Sequence, residues 1–346
     1  MYIKFMIEEN KNKYVTYWLL LITFLVCLMI LVGGLTRLTD SGLSITKWDL
    51  FAGIFPPINL KEWNYAFSLY KQIPEYTLVN PTMTLNEFKI IYWWEYIHRL
   101  LGRVVGILYL LPMIYFSYKK TLPKKVSLSI YLIFCLICIQ GFVGWYMVKS
   151  GLSDRTDVSH YRLSTHLTMA FVILILLVWN YLKILYPLNI SKEKKLPFYL
   201  PVFLVFFILV QISLGALVSG LDGAQIYQTW PLMGENYFPN DSRLTDLLNI
   251  QLFDSPSILQ FIHRNLAYFI FFIFLTISFL ILKNKSYDYL KRNLLLIFIA
   301  LFLQIFLGIL TILSGAQIFL ASMHQIGSIF LIILSTMLAY KNSAKS

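Results

Sequence analysis

Eight long apolar segments constrain the fold of this chain more than any other feature of its sequence. A helix needs about 20 mostly apolar residues to cross the hydrocarbon core of a bilayer. Only 13% of the 346 residues are charged, whereas soluble domains carry roughly 25%. We therefore predict an all-α membrane protein with eight transmembrane helices, at about residues 15–36, 92–117, 126–148, 161–183, 198–219, 258–282, 293–314 and 318–340.

Basic and acidic residues lie on opposite sides of the predicted spans. Lysines follow the second, fourth and sixth spans, among them Lys119, Lys192 and Lys194, while most of the acids lie on the other side, which also holds the two long loops 37–91 and 220–257. Lysine and arginine concentrate in cytoplasmic loops, so both termini are predicted to face the cytoplasm. The formal net charge of +12 then reflects topology and contact with the lipid bilayer, and no nucleic-acid partner is expected.

The two halves of the sequence, residues 1–196 and 197–346, repeat each other. The matched positions are Gly33 with Gly215, Asp40 with Asp222, Trp48 with Trp230, His98-Arg99 with His263-Arg264, Gln140–Gly144 with Gln304–Gly308, and His166 with His324. Because each repeat holds four spans, the second copy keeps the orientation of the first. We predict two four-helix bundles related by a pseudo-twofold axis along the membrane normal.

Four of the five histidines begin the even-numbered spans, at one depth near the outer face. They are His98 and His166 in the first half and His263 and His324 in the second. Each pair could face across the interior of its bundle, and two histidines on neighbouring helices can hold a haem iron from both sides. The fifth histidine, His160, has no counterpart in the repeat, so we interpret it as a surface or rim residue of the outer loop.

Two other interpretations of the four histidines remain open. A histidine at the edge of a span can be an interfacial residue with a satisfied hydrogen bond, although four of them in repeat-matched pairs favour a functional role. Zinc is the second alternative. Two histidines in each half, without a cysteine or a carboxylate in both copies, do not complete a tetrahedral zinc site.

Small and basic residues near the histidines fit the haem interpretation. Gly102 and Ala267 lie four residues after a histidine, where a flat macrocycle needs missing side chains; close helix packing explains them equally well. Arg99 and Arg264 directly follow a histidine. Their guanidinium groups could pair with haem propionates or extend to the membrane interface.

The two halves differ at one position that suggests catalysis. Glu95 lies three residues before His98, whereas Gln260 occupies the matching place before His263. A carboxylate is costly to keep near a bilayer and an amide is cheaper. We infer that the first half performs proton chemistry, with Glu95 as a general base or as a stabiliser of developing positive charge. The alternative is that Glu95 only pairs with Arg99, one helical turn away.

The residues around His98 resemble a family signature. Glu95-Tyr96-Ile97-His98-Arg99-Leu100-Leu101-Gly102 is similar to the E-x-x-H-R-x-x-G motif of haem A synthases. The resemblance extends over nearly the whole chain through GGLTRLTDSGLSITKWD, GALVSGLDGAQIYQTWPLMGENYFP, FIHRN and MHQ. The form resembled is that of proteobacteria and mitochondria. Another branch of the family has cysteine pairs in its outer loops, which this chain lacks.

The resemblance implies a reaction. Haem A synthases oxidise the C8 methyl of haem O in two successive hydroxylations, and the resulting gem-diol loses water to give the formyl group of haem A. On this pattern His98 and His166 would flank the substrate haem O in the first half, and Glu95 would be the catalytic carboxylate.

The resemblance also implies a cofactor and partners. His263 and His324 would ligate a haem b in the second half, with Arg99 and Arg264 among the residues that bind the haem groups. Expected partners are the haem O synthase and an electron acceptor that the sequence does not identify, and the chain could form homo-oligomers. The expected location is the bacterial inner membrane, with the haem sites near the periplasmic side.

Two rival functions fit parts of the sequence. A dihaem b-type cytochrome that passes electrons without modifying haem explains the paired histidines but not the difference between Glu95 and Gln260. A transporter with parallel repeats could use the histidines as a proton relay. It also predicts ionisable residues near the bilayer midplane, and the centres of the spans have almost none.

Overall fold

The fold is that of a computed structural model. It describes residues 2–47, 52–186, 195–197 and 199–343, with the backbone alone for residues 2–12, 52 and 154. Trp48, Lys192 and Lys194 lie outside the described residues. Within the described part, eight helices are long and apolar enough to cross a membrane, and no residue belongs to a β-strand. The prediction of an all-α protein with eight spans is confirmed.

The described residues form nine α-helices. Eight of them contain the spans: α1 (Tyr2–Leu38), α3 (Leu85–Tyr118), α4 (Lys124–Asp154), α5 (His160–Leu185), α6 (Tyr199–Gly220), α7 (Pro256–Lys283), α8 (Lys291–Leu313) and α9 (Ile318–Ser343). The remaining helix, α2 (Leu60–Tyr70), lies in the first outer loop. Helix α3 begins earlier than the predicted residue 92 because Thr84 and Glu87 form a capping box, which satisfies backbone donors at the helix start.

Contacts between the spans follow the same pattern in both halves. Helix α1 packs on α3 and α5, as α6 packs on α7 and α9; α4 packs on α5 as α8 packs on α9. Between the halves, α5 packs on α6 as α9 packs on α1, and α5 also contacts α9. Every contact described for one half thus has an equivalent in the other half, and the α5–α9 contact joins two helices that are themselves equivalent in the repeat. The axis that would relate the bundles stays a prediction.

The first outer loop folds into a compact unit that we call the outer cap. It comprises α2, the π-helical turn Glu75–Val79 and the first turns of α3. Helix α2 starts at Asn59, whose side chain accepts a hydrogen bond from the backbone N–H of Glu62 at 2.9 Å. The buried apolar side chains of this region are Leu43, Trp63, Phe67, Tyr70, Ile73, Phe88, Tyr92, Tyr96 and Val158. The cap therefore packs directly on the outer end of α3.

One arginine joins the two halves at their outer face. The Arg37 guanidinium lies 2.8 Å from the Asp40 carboxylate, 3.0 Å from that of Asp222 and 3.3 Å from that of Asp157. It also donates to the carbonyl of Ser219 at 2.8 Å. Burial raises the pKa of Asp157, although the nearby Arg37 opposes this effect. The repeat is visible in the backbone here, since Asp40 and Asp222 both adopt a left-handed conformation, with φ of 49° and 50°.

Candidate functional site

Each of the four repeat-matched histidines packs on a glycine of a neighbouring helix. A Cβ atom added to the glycine would lie 2.9 Å from the imidazole Cε1 in three of the pairs and 3.1 Å in the fourth. Real Cβ atoms essentially never come closer than 3.0 Å to another heavy atom, so a side chain at three of these positions would displace the ring, and the fourth distance is still tighter than nine in ten real Cβ contacts. The pairs are His98 on Gly33, His166 on Gly144, His263 on Gly215, and His324 on Gly308.

These four glycines were not recognised as partners of the histidines from the sequence. The repeat alignment already matches Gly33 with Gly215 and Gly144 with Gly308, which is the signal that could have identified them. Gly102 was considered as the small residue beside a macrocycle. In the structure a Cβ on Gly102 would lie 3.6 Å from the side chain of Met29, which is an ordinary van der Waals contact with α1.

The histidines come together as two pairs, one in each half. His98 and His166 are within electrostatic range of each other, and so are His263 and His324. Each half therefore holds two imidazoles that are near each other. Whether they hold iron stays a prediction, and the environment of their nitrogen atoms supplies a test of fit.

Three of the imidazoles have a buried nitrogen without a hydrogen-bond partner. Among the described residues, nothing pairs with Nδ1 of His98, His166 or His263. In His324, by contrast, Nδ1 lies 3.1 Å from the carbonyl oxygen of Gln304, and a ligating histidine commonly uses its second nitrogen in this way. Leaving a buried polar atom unpaired costs about 1–3 kcal/mol. An imidazole ring with a buried, unpaired nitrogen can bind a metal ion or another polar group through that nitrogen.

Glu95 is buried and bonded through both of its oxygen atoms. Oε2 accepts hydrogen bonds from the Ser44 hydroxyl and from the backbone N–H of Ile45, each at 2.7 Å. Oε1 accepts from Arg99 Nε at 3.0 Å, and Arg99 also donates to the Ile45 carbonyl at 2.9 Å. The predicted pairing of Glu95 with Arg99 is thus present. Together the two side chains clamp the loop that follows α1 against α3.

The second half contains the same clamp with an amide in place of the carboxylate. Arg264 donates to the carbonyl of Tyr227 at 3.0 Å, and Tyr227 is the repeat counterpart of Ile45, with the offset of 182 residues that also relates Gly33 to Gly215. Gln260 donates to the same carbonyl at 3.1 Å. Where Glu95 accepts from a loop N–H, Gln260 therefore donates to a loop C=O.

Both arginines bond to loop carbonyl groups, and Arg99 also pairs with the Glu95 carboxylate. Arg99 contacts Ile45, and Arg264 contacts Tyr227 and Leu232. The Nε atom of Arg264 is buried and has no hydrogen-bond partner among the described residues. Pairing of either arginine with a haem propionate is not tested by these contacts and stays a prediction.

His160 is not the surface residue that the sequence suggested. Its exposed fraction is 6%, because α5 begins at this residue and packs against the end of α6. A Cβ on Gly220 would lie 2.6 Å from the His160 Cβ. The His160 Nε2 atom lies 3.2 Å from the carboxylate of Asp254. Unlike the other four histidines, His160 meets its glycine through its Cα and Cβ atoms and not through its ring.

Comparison with known proteins identifies the family. Residues 16–336 match the COX15-CtaA family, described as cytochrome oxidase assembly protein. The chain is 49% identical to a heme A synthase of Pelagibacter ubique, over 98% of this chain and 99% of that protein. It is 43% identical to a heme A synthase of Rickettsia bellii, over 93% and 96%, and 41% identical to one of Bradyrhizobium diazoefficiens, over 96% and 93%. With these matches over nearly its whole length, the chain belongs to the COX15-CtaA family of cytochrome oxidase assembly proteins.

Proposed function

We propose that this protein is a haem A synthase, a multi-pass membrane oxidoreductase that oxidises the C8 methyl of haem O to the formyl group of haem A for cytochrome oxidase assembly. The observation that carries the proposal is the presence of two histidine pairs whose four rings are each seated on a glycine. Relatives that match over nearly the whole chain bear the same activity in their names. A membrane protein of this design can hold two haem groups at one depth.

The two halves are proposed to have different roles, one binding the substrate and the other the cofactor. His98 and His166 position the substrate haem O in the first half, and His263 and His324 hold a haem b in the second. The seating of all four rings on glycines supports a ligating role for these histidines. The contact of His324 Nδ1 with the Gln304 carbonyl is of the kind that a ligating histidine makes with its second nitrogen. When bound, haem b supplies a one-electron redox centre.

The chain's own residues are proposed to prepare the first-half site for proton transfer. Glu95 lies one helical turn from His98, which places its carboxylate on the side of α3 that carries the histidine. Its contacts with Ser44, Ile45 and Arg99 fix that position. The Gln260 amide neither binds nor releases a proton near neutral pH. The second half therefore keeps the clamp but has no acid–base group at this position.

The proposed location is the bacterial inner membrane. Both termini face the cytoplasm, and the histidine sites lie near the periplasmic side. The basic residues after the second, fourth and sixth spans support this orientation. Proposed partners are the haem O synthase that makes the substrate, an electron acceptor and, in an oligomer, further copies of this chain.

Expression in a host that supplies haem O, followed by chromatography of the extracted haems, tests the proposed function. We expect haem A to appear only when the protein is present. A b-type cytochrome that only passes electrons would yield unmodified haem alone, and a transporter would purify without pigment. Either of these outcomes would contradict the proposal.

The glycine contacts give a prediction that compares two positions on one helix. Gly144→Ala places a methyl group against the His166 ring, whereas nothing lies within 4 Å of a Cβ on Gly141. We expect Gly144→Ala to lower the haem retained by the purified protein several-fold. Gly141→Ala should leave it unchanged and should slightly favour the helix, since alanine is about 1 kcal/mol better than glycine there. Equal haem content in the two variants would show that the ring contact is unimportant.

A further inference from the structure

Among the described residues, only two acidic side chains are buried. Glu75 is 4% exposed and Glu95 is 2% exposed, and both lie in the first half. The second outer loop is shorter and contains no α-helix. None of the acids between α6 and α7 is buried. The half that carries Glu95 in place of an amide therefore carries a second buried carboxyl group as well.

Glu75 lies inside the outer cap. Its Oε1 atom accepts a hydrogen bond from the Tyr70 hydroxyl at 3.1 Å, and the Tyr70 oxygen accepts one from the Asn80 amide at 3.1 Å. Tyr70 is completely buried, whereas Asn80 is partly exposed. The Oε2 atom of Glu75 is buried and has no hydrogen-bond partner among the described residues. A carboxyl group so placed has one oxygen fixed and the other available to carry a proton.

The surroundings of Glu75 favour its neutral form. Burial raises the pKa of Glu75 to about 8, and the hydrogen bond from Tyr70 limits the rise. Three acids raise this pKa further: Glu95 in α3, Asp157 in the loop after α4 and Asp40 in the turn after α1. Lys71 of the same cap lies over the rings of Phe67 and Tyr76. We therefore expect Glu75 to hold its proton near neutral pH, where ordinary glutamate side chains are fully ionised.

The outer cap connects Glu75 to the region of Glu95. Tyr70 packs against Phe88 with ring centroids 5.2 Å apart, and Phe88 packs against Tyr92 at 5.8 Å. The next ring in this series belongs to Tyr96, 6.3 Å from Tyr92 and adjacent to Glu95 in the chain. The two buried carboxyl groups thus belong to one packed unit at the outer end of α3, the helix that also carries His98.

We propose that Glu75 is a proton-exchanging group of the first-half site, taking up protons released there and returning them to the outer aqueous side. In this step the neutral Glu75 acid gives its Oε2 proton to water, and the carboxylate that remains then binds a proton released at the first-half site. No electron moves and no other bond changes. The inference rests on the proposed function, because oxidation of a methyl group requires protons to leave the site.

Infrared titration of the purified protein tests the proton exchange without measuring activity. We expect a protonated carboxyl band that disappears with a midpoint near pH 8 in the wild type and is missing in Glu75→Gln. Glu235→Gln, which alters an exposed acid of the second outer loop, should keep the band. Tyr70→Phe removes the hydrogen bond to Oε1 and should move the midpoint to higher pH. A band that persists in Glu75→Gln, or no such band in the wild type, would overturn the proposal.

The free energy of unfolding should depend on pH over the range in which Glu75 gains or loses its proton. Between the pKa of an ordinary glutamate and about 8, the folded protein binds the Glu75 proton more strongly than the unfolded chain does. The free energy of unfolding should therefore fall as pH rises through this window. Thermal unfolding in detergent should show a decline from pH 5 to pH 8 that is reduced in Glu75→Gln and unchanged in Glu235→Gln. An identical decline in both variants would count against Glu75.

The pH profile of haem A formation separates this inference from the proposed function. Glu75→Gln should retain haem, lose the wild-type pH dependence near pH 8 and slow product formation by about 10-fold or more. If the wild type makes haem A and Glu75→Gln has the same rate and pH profile, the role of Glu75 is refuted while the synthase function stands. If the wild type makes no haem A at any pH, the proposed function fails and the inference fails with it.

Discussion

Replacing Glu95 with glutamine should reduce haem A formation by at least about 100-fold, the scale of a lost general acid or base, while haem binding is retained. Glutamine has the same shape, and Gln260 shows that an amide is compatible with the clamp in the second half. What the variant loses is the ability to bind a proton. The measurement is chromatography of the extracted haems, expressed as haem A per total haem.

A purely structural role for Glu95 predicts a different set of results. Ser44→Ala removes one hydrogen bond from the clamp but leaves the carboxylate and its other partners in place, so we expect it to lose about 10-fold, the lower end of the effect of a lost hydrogen bond to a charged group. Gln260→Glu should not restore activity to Glu95→Gln. If Glu95→Gln still converts haem O, or if Ser44→Ala is equally inactive, the proposed proton chemistry of Glu95 is wrong.

The second large effect is expected from His263→Ala, which should remove the haem b signal of the second half. The variant would keep only one of the two imidazoles that would hold the haem in this half, and His324 alone is not expected to retain it. The checks are the reduced-minus-oxidised absorbance spectrum and the haem content per protein. Product formation should also stop, because the proposed redox centre is gone.

His160 supplies the matched control for this experiment. It is as buried as a ligand would be, but its contacts are with Gly220 and Asp254. We expect His160→Ala to keep the full haem spectrum even if it lowers stability. An unchanged spectrum in His263→Ala, or an equal loss in His160→Ala, would contradict the assignment of haem b to the second half.

The spans could be predicted from the sequence because each depends on a local property, the length of an apolar run. The ends of the spans could not be predicted in this way, because capping by Thr84 extends α3 outward beyond its apolar part. The pairing of histidines followed from the repeat, which fixes their depth. The glycine under each ring did not follow, because it lies on a different helix and becomes meaningful only when the helices pack.

Burial of polar residues was the part least visible in the sequence. In the sequence Glu75 is one more acid of an outer loop, and nothing in its neighbours indicates that α2 folds over it. The burial of His160 is hidden for a similar reason, because a position at the start of a helix can face either the solvent or a neighbouring helix. The clamp made by Glu95 depends on where the loop after α1 returns to α3, which is a tertiary contact.

The arginine at the junction of the halves bears on how such a protein could arise from a duplicated unit. Arg37 and Ser219 occupy equivalent places in the repeat and contact each other directly. A homodimer of identical ancestral halves would carry the same residue at both places. Two serines would leave Asp40, Asp157 and Asp222 without their shared cation. Arg37 bonds to the backbone carbonyl of Ser219, so the contact itself tolerates any residue at position 219. The divergence of the two halves at this pair of positions leaves one arginine to neutralise acids that both halves contribute.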